Sequence, residues 1–169
     1  HDGKKSAGKP RGAGLIFILA FGIVAMLFGK LNWEILIYLV LTMASMLTGY
    51  LDDASKNPWG EFKKGALDLL IACLVAGTYL AFNGSEIFIN ILGESIVLNP
   101  IVFFILAVIL VWVSINVTNC TDGVDGLSGT LSVITLFTIY LLESVKGTNS
   151  AINYITLILI ACVLAYLWF

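Results

Sequence analysis

The sequence predicts an all-α integral membrane protein. It is a polytopic bundle of about six transmembrane helices, with a small β-hairpin on the non-cytoplasmic side. Three observations predict it. Of its 169 residues, 59% are hydrophobic and only 12% charged, where a soluble domain is nearer half apolar and a quarter charged. Six apolar runs recur, at 13–29, 33–51, 66–82, 99–118, 127–142 and 151–169. Each is about long enough to span a bilayer as a helix, and lipid satisfies no backbone hydrogen bonds. Third, the charges cluster in alternate connections.

The elements follow in order. The first run comes after the basic stretch "HDGKKSAGKPRG", and "GKLN" leads into the second, which ends in "GYLDD". "DDASKNPWGEFKKG" returns the chain to the third run. "EIFINILGESIVL", residues 86–98, is too short and too interrupted to span; Ile and Val flanking "GES" point to a hairpin. The fourth run ends at "NVTNCTDGVDGLSG", the fifth at "ESVKGTN", and the sixth closes the sequence. If the runs alternate in direction, Lys4, Lys5, Lys9, Arg11, Lys56, Lys63 and Lys64 share one side. Lys30 and Lys146 lie on the other. The excess makes the first side cytoplasmic, and the basic N-terminal stretch suits anionic lipid. Trp33, Trp59, Trp112 and Trp168 lie near run ends, as an aromatic belt requires. No internal repeat is evident, so residues 1–169 read as a single transmembrane domain. The sequence does not begin with Met, shows no signal-peptide pattern and ends in an apolar run. It therefore reads as part of a longer protein.

The chemistry concentrates on that cytoplasmic side. Asp52 and Asp53 end the second run, and Asp122 and Asp125 follow the fourth. Four carboxylates at one membrane face repel one another, and a divalent cation or a cationic side chain relieves this. Mg²⁺ suits the place, because it keeps waters and takes one or two carboxylates together with substrate phosphates. A structural account competes. Asp122 with Asp125 can cap the fifth run, and Asp52 with Lys56 can form an i,i+4 pair at a solvated helix end. Asn116 and Asn119 favour a site: they share one helix face, and a cap at Asp122 needs neither. Gly123, Gly126 and Gly129 admit a ligand or another backbone closely. Glu34 and Asp68 read as interfacial, and Glu61, Lys63 and Lys64 as a solvated amphipathic stretch. Cys73, Cys120 and Cys162 lie far apart and the only His is His1, which points to neither a disulfide framework nor a zinc site.

"GYLDDASK" and "NVTNCTDGVDGL" resemble the two aspartate signatures of the polyprenyl-phosphate N-acetylhexosamine-1-phosphate transferases. The likeness is closest to the phospho-N-acetylmuramoyl-pentapeptide transferase branch. Its patterns are D-D-x-x-K and N-x-x-N-L-T-D-G-L-D-G-L, with Cys120 and Val124 replacing leucines here. "GKPRGAG" departs from the family's G-T-P-T-M-G-G, since Lys9 and Arg11 stand for the threonines. The resemblance implies that the six runs are the second through seventh of ten helices. The family's third aspartate motif, with its main metal aspartate, and its histidine-rich loop would lie beyond Phe169.

The implied reaction is Mg²⁺-dependent transfer of phospho-MurNAc-pentapeptide from UDP-MurNAc-pentapeptide to undecaprenyl phosphate, giving lipid I and UMP. It would occur in the bacterial cytoplasmic membrane, with the site on the cytoplasmic face. By resemblance Asp52, Asp53 and Asp122 are catalytic. Asp52 and Asp53 would handle the lipid phosphate and metal-side charge, and Asp122 the metal or phosphate geometry. Lys56, Asn116, Asn119 and Asp125 would bind substrate: Lys56 a phosphate, Asn119 and Asp125 the nucleoside end. Partners are both substrates, membrane lipid and a second copy of the chain, with no nucleic acid. The alternatives are transfer of GlcNAc-1-phosphate or another hexosamine phosphate, an ion-coupled transporter, and a non-catalytic membrane subunit. The acids lie at one face and not at mid-membrane, which weighs against a transporter.

Overall fold

A computed structural model describes residues 13–55, 59–89, 93–121, 126–145 and 151–168. Six helices and one hairpin form: α1 Ala13–Phe28, α2 Trp33–Ala54, α3 Glu61–Asn83, β1 Glu86–Ile89, β2 Glu94–Val97, α4 Pro100–Thr121, α5 Leu127–Val145 and α6 Ala151–Trp168. The protein is a polytopic helical membrane protein. Five helices, α2 to α6, are long and apolar enough to cross a bilayer, while α1 has 16 residues. At 1.5 Å per residue α1 covers about 24 Å, short of a hydrocarbon core of roughly 30 Å.

Local chemistry sets the helix ends. Asn32 accepts from Ile35 N at 2.8 Å and starts α2. Asn99 accepts from Ile101 N at 2.9 Å, and Pro100 takes the first position of α4, where its missing N–H costs nothing. Gly84, at φ 75°, closes α3 with its N–H on Leu80 O. Four helices outrun the apolar runs, α5 by continuing to Val145. α2 continues through both aspartates, α3 begins at Glu61, and α4 extends to Thr121, so residues 116–121 of the polar stretch are helical. A polar helix end needs only water or partners beyond the hydrocarbon, so hydropathy alone under-reads it.

The hairpin forms where expected, with Ile87 opposite Ile96 and Phe88 opposite Ser95. The turn differs. Glu94 and Ser95 belong to β2, and the reversal falls before them, ending at Gly93 with φ 66°. Gly93, the one residue of "GES" free to adopt that φ, ends the turn instead of opening it.

Neighbouring helices pack in the row α4, α3, α2, α1, α6, α5, and α4 and α5 barely touch. The row curves so that all six helices face one central cavity of about 1050 Å³. Between α3 and α4, Ala72 and Ala76 are 0% and 1% exposed and receive Val108. Small residues let helices approach closely where lipid offers no hydrophobic drive. A second core joins Phe21 and Ala25 of α1 with Ile35 and Leu39 of α2, against α6. The last turns of α2, α4 and α6 and the first turns of α1, α3 and α5 therefore share one end of the bundle.

Candidate active site

Asp52 and Asp53 lie in the last turn of α2, which carries no basic residue. Carboxylates there oppose the helix dipole, at about 0.3–1 kcal/mol each. Lys63 and Lys64 lie in the first turns of α3, where cations are equally misplaced. The two misplacements offset each other. Lys64 Nζ lies 3.5 Å from Asp52 Oδ2. Trp59 N donates to Asp52 Oδ1 at 2.8 Å, and Lys63 Nζ stacks 3.6 Å above the Trp59 ring. Asp52 thus fastens the end of α2 to the start of α3. Its expected i,i+4 partner, Lys56, lies outside the described residues, and the observed partner is Lys64 across the connection.

Asp53 points elsewhere. It is exposed and lines the central cavity, together with Thr118 of α4, Gly126 and Ser128 at the start of α5 and Tyr166 of α6. Among the described residues its carboxylate has no hydrogen-bond or ion-pair partner. The adjacent carboxylates thus part: Asp52 binds the start of α3, and Asp53 opens on the central cavity. The second space is a cavity of about 160 Å³, walled by Ser45 and Thr48 of α2, Trp59, Lys64 and Asp68, and Asn119 of α4. Trp112 Nε1 donates to Gly65 O at 3.0 Å and holds α4 against α3 there. The end of "NVTN" is thereby brought beside the end of "GYLDD".

Not every expected residue arrives. Asn119 reaches the small cavity, whereas Asn116 Nδ2 turns back to Trp112 O at 2.8 Å on its own helix. Asp122 and Asp125 lie outside the described residues. α5 begins at Leu127, directly after Gly126, whose carbonyl accepts from Thr130 N at 2.9 Å. Gly126 has φ 78°, and Gly129 faces Leu167 of α6, which a Cβ would meet at 2.7 Å. Gly129 thus admits a neighbouring helix as well as lining the central cavity. Asp68, expected at the interface, is 6% exposed. Lys64 and Trp59 were the residues that sequence reasoning missed. The legible signal was the pairing of acids at one helix end with lysines at the next helix start.

The oxygen donors are hard and few, a carboxylate set that suits Mg²⁺ with its retained waters. Among the described residues no group of three or more His, Cys, Asp or Glu side chains stands together. Asp53 is an unengaged carboxylate that opens on the central cavity.

Fold and site define a class: a multi-pass helical membrane protein that gathers acids, a lysine and an asparagine at one end of its spans, around two cavities. The chain belongs to glycosyl transferase family 4, whose model matches residues 35–169, from α2 to the last residue. Two relatives from Treponema pallidum, one of strain Nichols and one of a second strain, are each named phospho-N-acetylmuramoyl-pentapeptide-transferase. Each is 39% identical over 121 residues, 70% of this chain and 33% of the relative. The chain thus spans about a third of the length of these curated relatives. No solved structure matches it.

Proposed function

We propose that the protein transfers phospho-MurNAc-pentapeptide from its UDP carrier to undecaprenyl phosphate, releasing UMP, at the cytoplasmic face of a bacterial cytoplasmic membrane. The observation that carries this reading is the meeting of the end of α2, which bears Asp52 and Asp53, with the end of α4, which bears Asn119, at one end of the bundle. Family membership, the names of the relatives and the Lys/Arg asymmetry support it.

Phosphoryl transfer asks a protein mainly for positioning and charge balance. Asp53, open to the central cavity, meets the lipid phosphate entering from the membrane side. Asp52, held by Trp59 N and Lys64, keeps a fixed charge beside it. Lys64, with Lys56 from the same connection, attracts substrate phosphate. Asn119 contacts the nucleoside end from α4, with Asn116 and Asp125 in the same stretch. Asp53 and Asp122 are the carboxylates that would hold Mg²⁺, which when bound neutralises charge on the pyrophosphate. A second copy of the chain is part of the proposed assembly.

The test is turnover by the full-length protein in lipid nanodiscs. UDP-MurNAc-pentapeptide and undecaprenyl phosphate are supplied with and without Mg²⁺, and UMP release is followed. UDP-GlcNAc runs in parallel. Mg²⁺-dependent release from the muramoyl substrate is expected. Release from UDP-GlcNAc alone would move the assignment to a hexosamine-1-phosphate transferase, and release from neither would remove it.

A further inference from the structure

Asp68 plays no part in the reading above, yet its place asks for one. It lies about two turns into α3 and is 6% exposed. An ionisable group at such depth in a membrane span is costly unless something answers it. Among the described residues it has no hydrogen bond or ion pair of its own. One turn earlier on the same face stands Lys64, and both line the small cavity with Asn119 and Thr48. Among the described residues Lys64 is the only basic side chain on that wall, and its ammonium is 3.5 Å from Asp52 Oδ2. The ammonium that pairs with Asp52 thus belongs to a lysine that shares a cavity wall with a buried carboxylate one helical turn on. The cavity, about 160 Å³ with Thr48, Lys64, Asp68 and Asn119 among its walls, has room for bridging water, which takes roughly 30 Å³ per molecule in the liquid.

We infer that Asp68 is a positioning residue that shares the Lys64 ammonium with Asp52 and so fixes where the Asp52 carboxylate stands. This deepens, and rests on, the transferase reading above. A lysine paired only with Asp52 is a flexible stem with a strongly hydrated head, free to swing out to water. A buried carboxylate beneath it removes that freedom, because Lys64 cannot leave without stranding Asp68 in a poor solvent. Sharing has a second consequence. A fully committed lysine would neutralise Asp52, whereas a divided one leaves Asp52 charged toward the site, with Trp59 N holding its other oxygen.

Two measurements on the full-length protein in nanodiscs test this. In the first, Lys64→Met lowers the melting temperature by several degrees, and adding Asp68→Asn restores most of the loss, because no stranded charge remains. Additive effects of the two changes would overturn the sharing. In the second, Asp68→Asn lowers kcat by roughly tenfold with KM for the sugar nucleotide nearly unchanged, and Asp68→Glu recovers part of the rate. In an Asp52→Asn background Asp68→Asn slows turnover no further, since it acts through Asp52. Wild-type kcat in Asp68→Asn, or a full further loss in the double variant, would overturn the positioning role. Absent turnover in the unaltered protein would count against the transferase reading, while the melting measurement would still decide whether Asp68 and Lys64 are paired.

Discussion

The two ends of the bundle treat polar groups in opposite ways. At the hairpin end several are matched within short reach. Glu34 accepts from Tyr38 Oη at 3.2 Å and from Asn83 Nδ2. Asn32 caps α2, Ser85 Oγ donates to Leu98 O at 2.8 Å, and Leu98 N returns a bond to Ser85 O. Each of these lowers the energy of the element that carries it. At the Asp52 end the charges oppose their own helices. Acids end α2, lysines begin α3, Asp53 stays open to the central cavity and Asp68 lies buried. Polar residues held against local preference mark a site, and those aligned with it mark structure. Substitution of the aspartates that end α2 should therefore cost turnover, and substitutions at the hairpin end stability.

The largest effect is expected from Asp52, Asp53 and Asp122, each changed to Asn. Asn keeps the shape and removes a charge where charge geometry sets the barrier. A loss of about 3–4 kcal/mol in transition-state stabilisation slows turnover by roughly 10²–10³-fold. Melting should hardly move, and for Asp53 it should rise slightly, because a carboxylate leaves the unfavourable end of α2. UMP release and melting, measured on the same preparations, check this. Near-normal turnover would return the aspartates to a structural role and erase the contrast between the ends.

Much of this was legible in the sequence, for reasons that differ by element. The helices follow from hydropathy, since a bilayer admits little else, and the hairpin from its alternating Ile, Phe and Val. The acids of the proposed site stand out in the sequence because they gather at run ends, in "GYLDD" and just after "NVTN". Their division does not. Asp52 and Asp53 are adjacent in sequence, and only the helical rotation between them sends one to Lys64 and the other to the central cavity. The α2–α3 connection hid Lys64 in the same way. It brings the start of α3 back beside Asp52, and no spacing rule for one helix finds a partner on the next. Nor does the sequence show that the Asn116 amide donates to the Trp112 carbonyl one turn back.

At the hairpin end, Gly29→Ala should give the largest loss of stability. Gly29 N donates to Ala25 O at 2.8 Å, and a Cβ would crowd that same carbonyl oxygen and approach Ile155 Cδ1 to 2.9 Å. Backbone cannot yield as a side-chain tip can, so about 1–3 kcal/mol is expected, the usual range for overpacking. Denaturant or thermal unfolding in detergent measures it, and turnover per folded molecule should stay at the wild-type value. Asn32→Ala comes next. It removes the acceptor for Ile35 N at the start of α2, a cap worth typically ~1 kcal/mol. Loss of turnover without loss of stability in either variant would break the division between the ends.

The smallest effects come from two lysines that stack on rings, one at each end. Lys63 Nζ lies 3.6 Å from the Trp59 centroid, and Lys30 Nζ lies 4.4 Å from that of Tyr154. Both side chains are exposed, and such contacts contribute about 0.5–1 kcal/mol, more on Trp than on Tyr. Changing each to Met keeps the stem and removes the charge, so both variants should lose stability within that narrow range. Turnover should separate them. Trp59 holds Asp52 through its backbone N–H, and a ring no longer held by Lys63 lets that segment drift. If about 0.5 kcal/mol of this reaches the transition state, Lys63→Met slows UMP release by roughly twofold. Tyr154 touches nothing at the Asp52 end, so Lys30→Met should leave the rate alone. The comparison needs replicate initial rates precise enough to resolve a factor of two. An equal slowing in both variants would mean that the ends are coupled through the bundle, and that Asp52 is not positioned by its own connection.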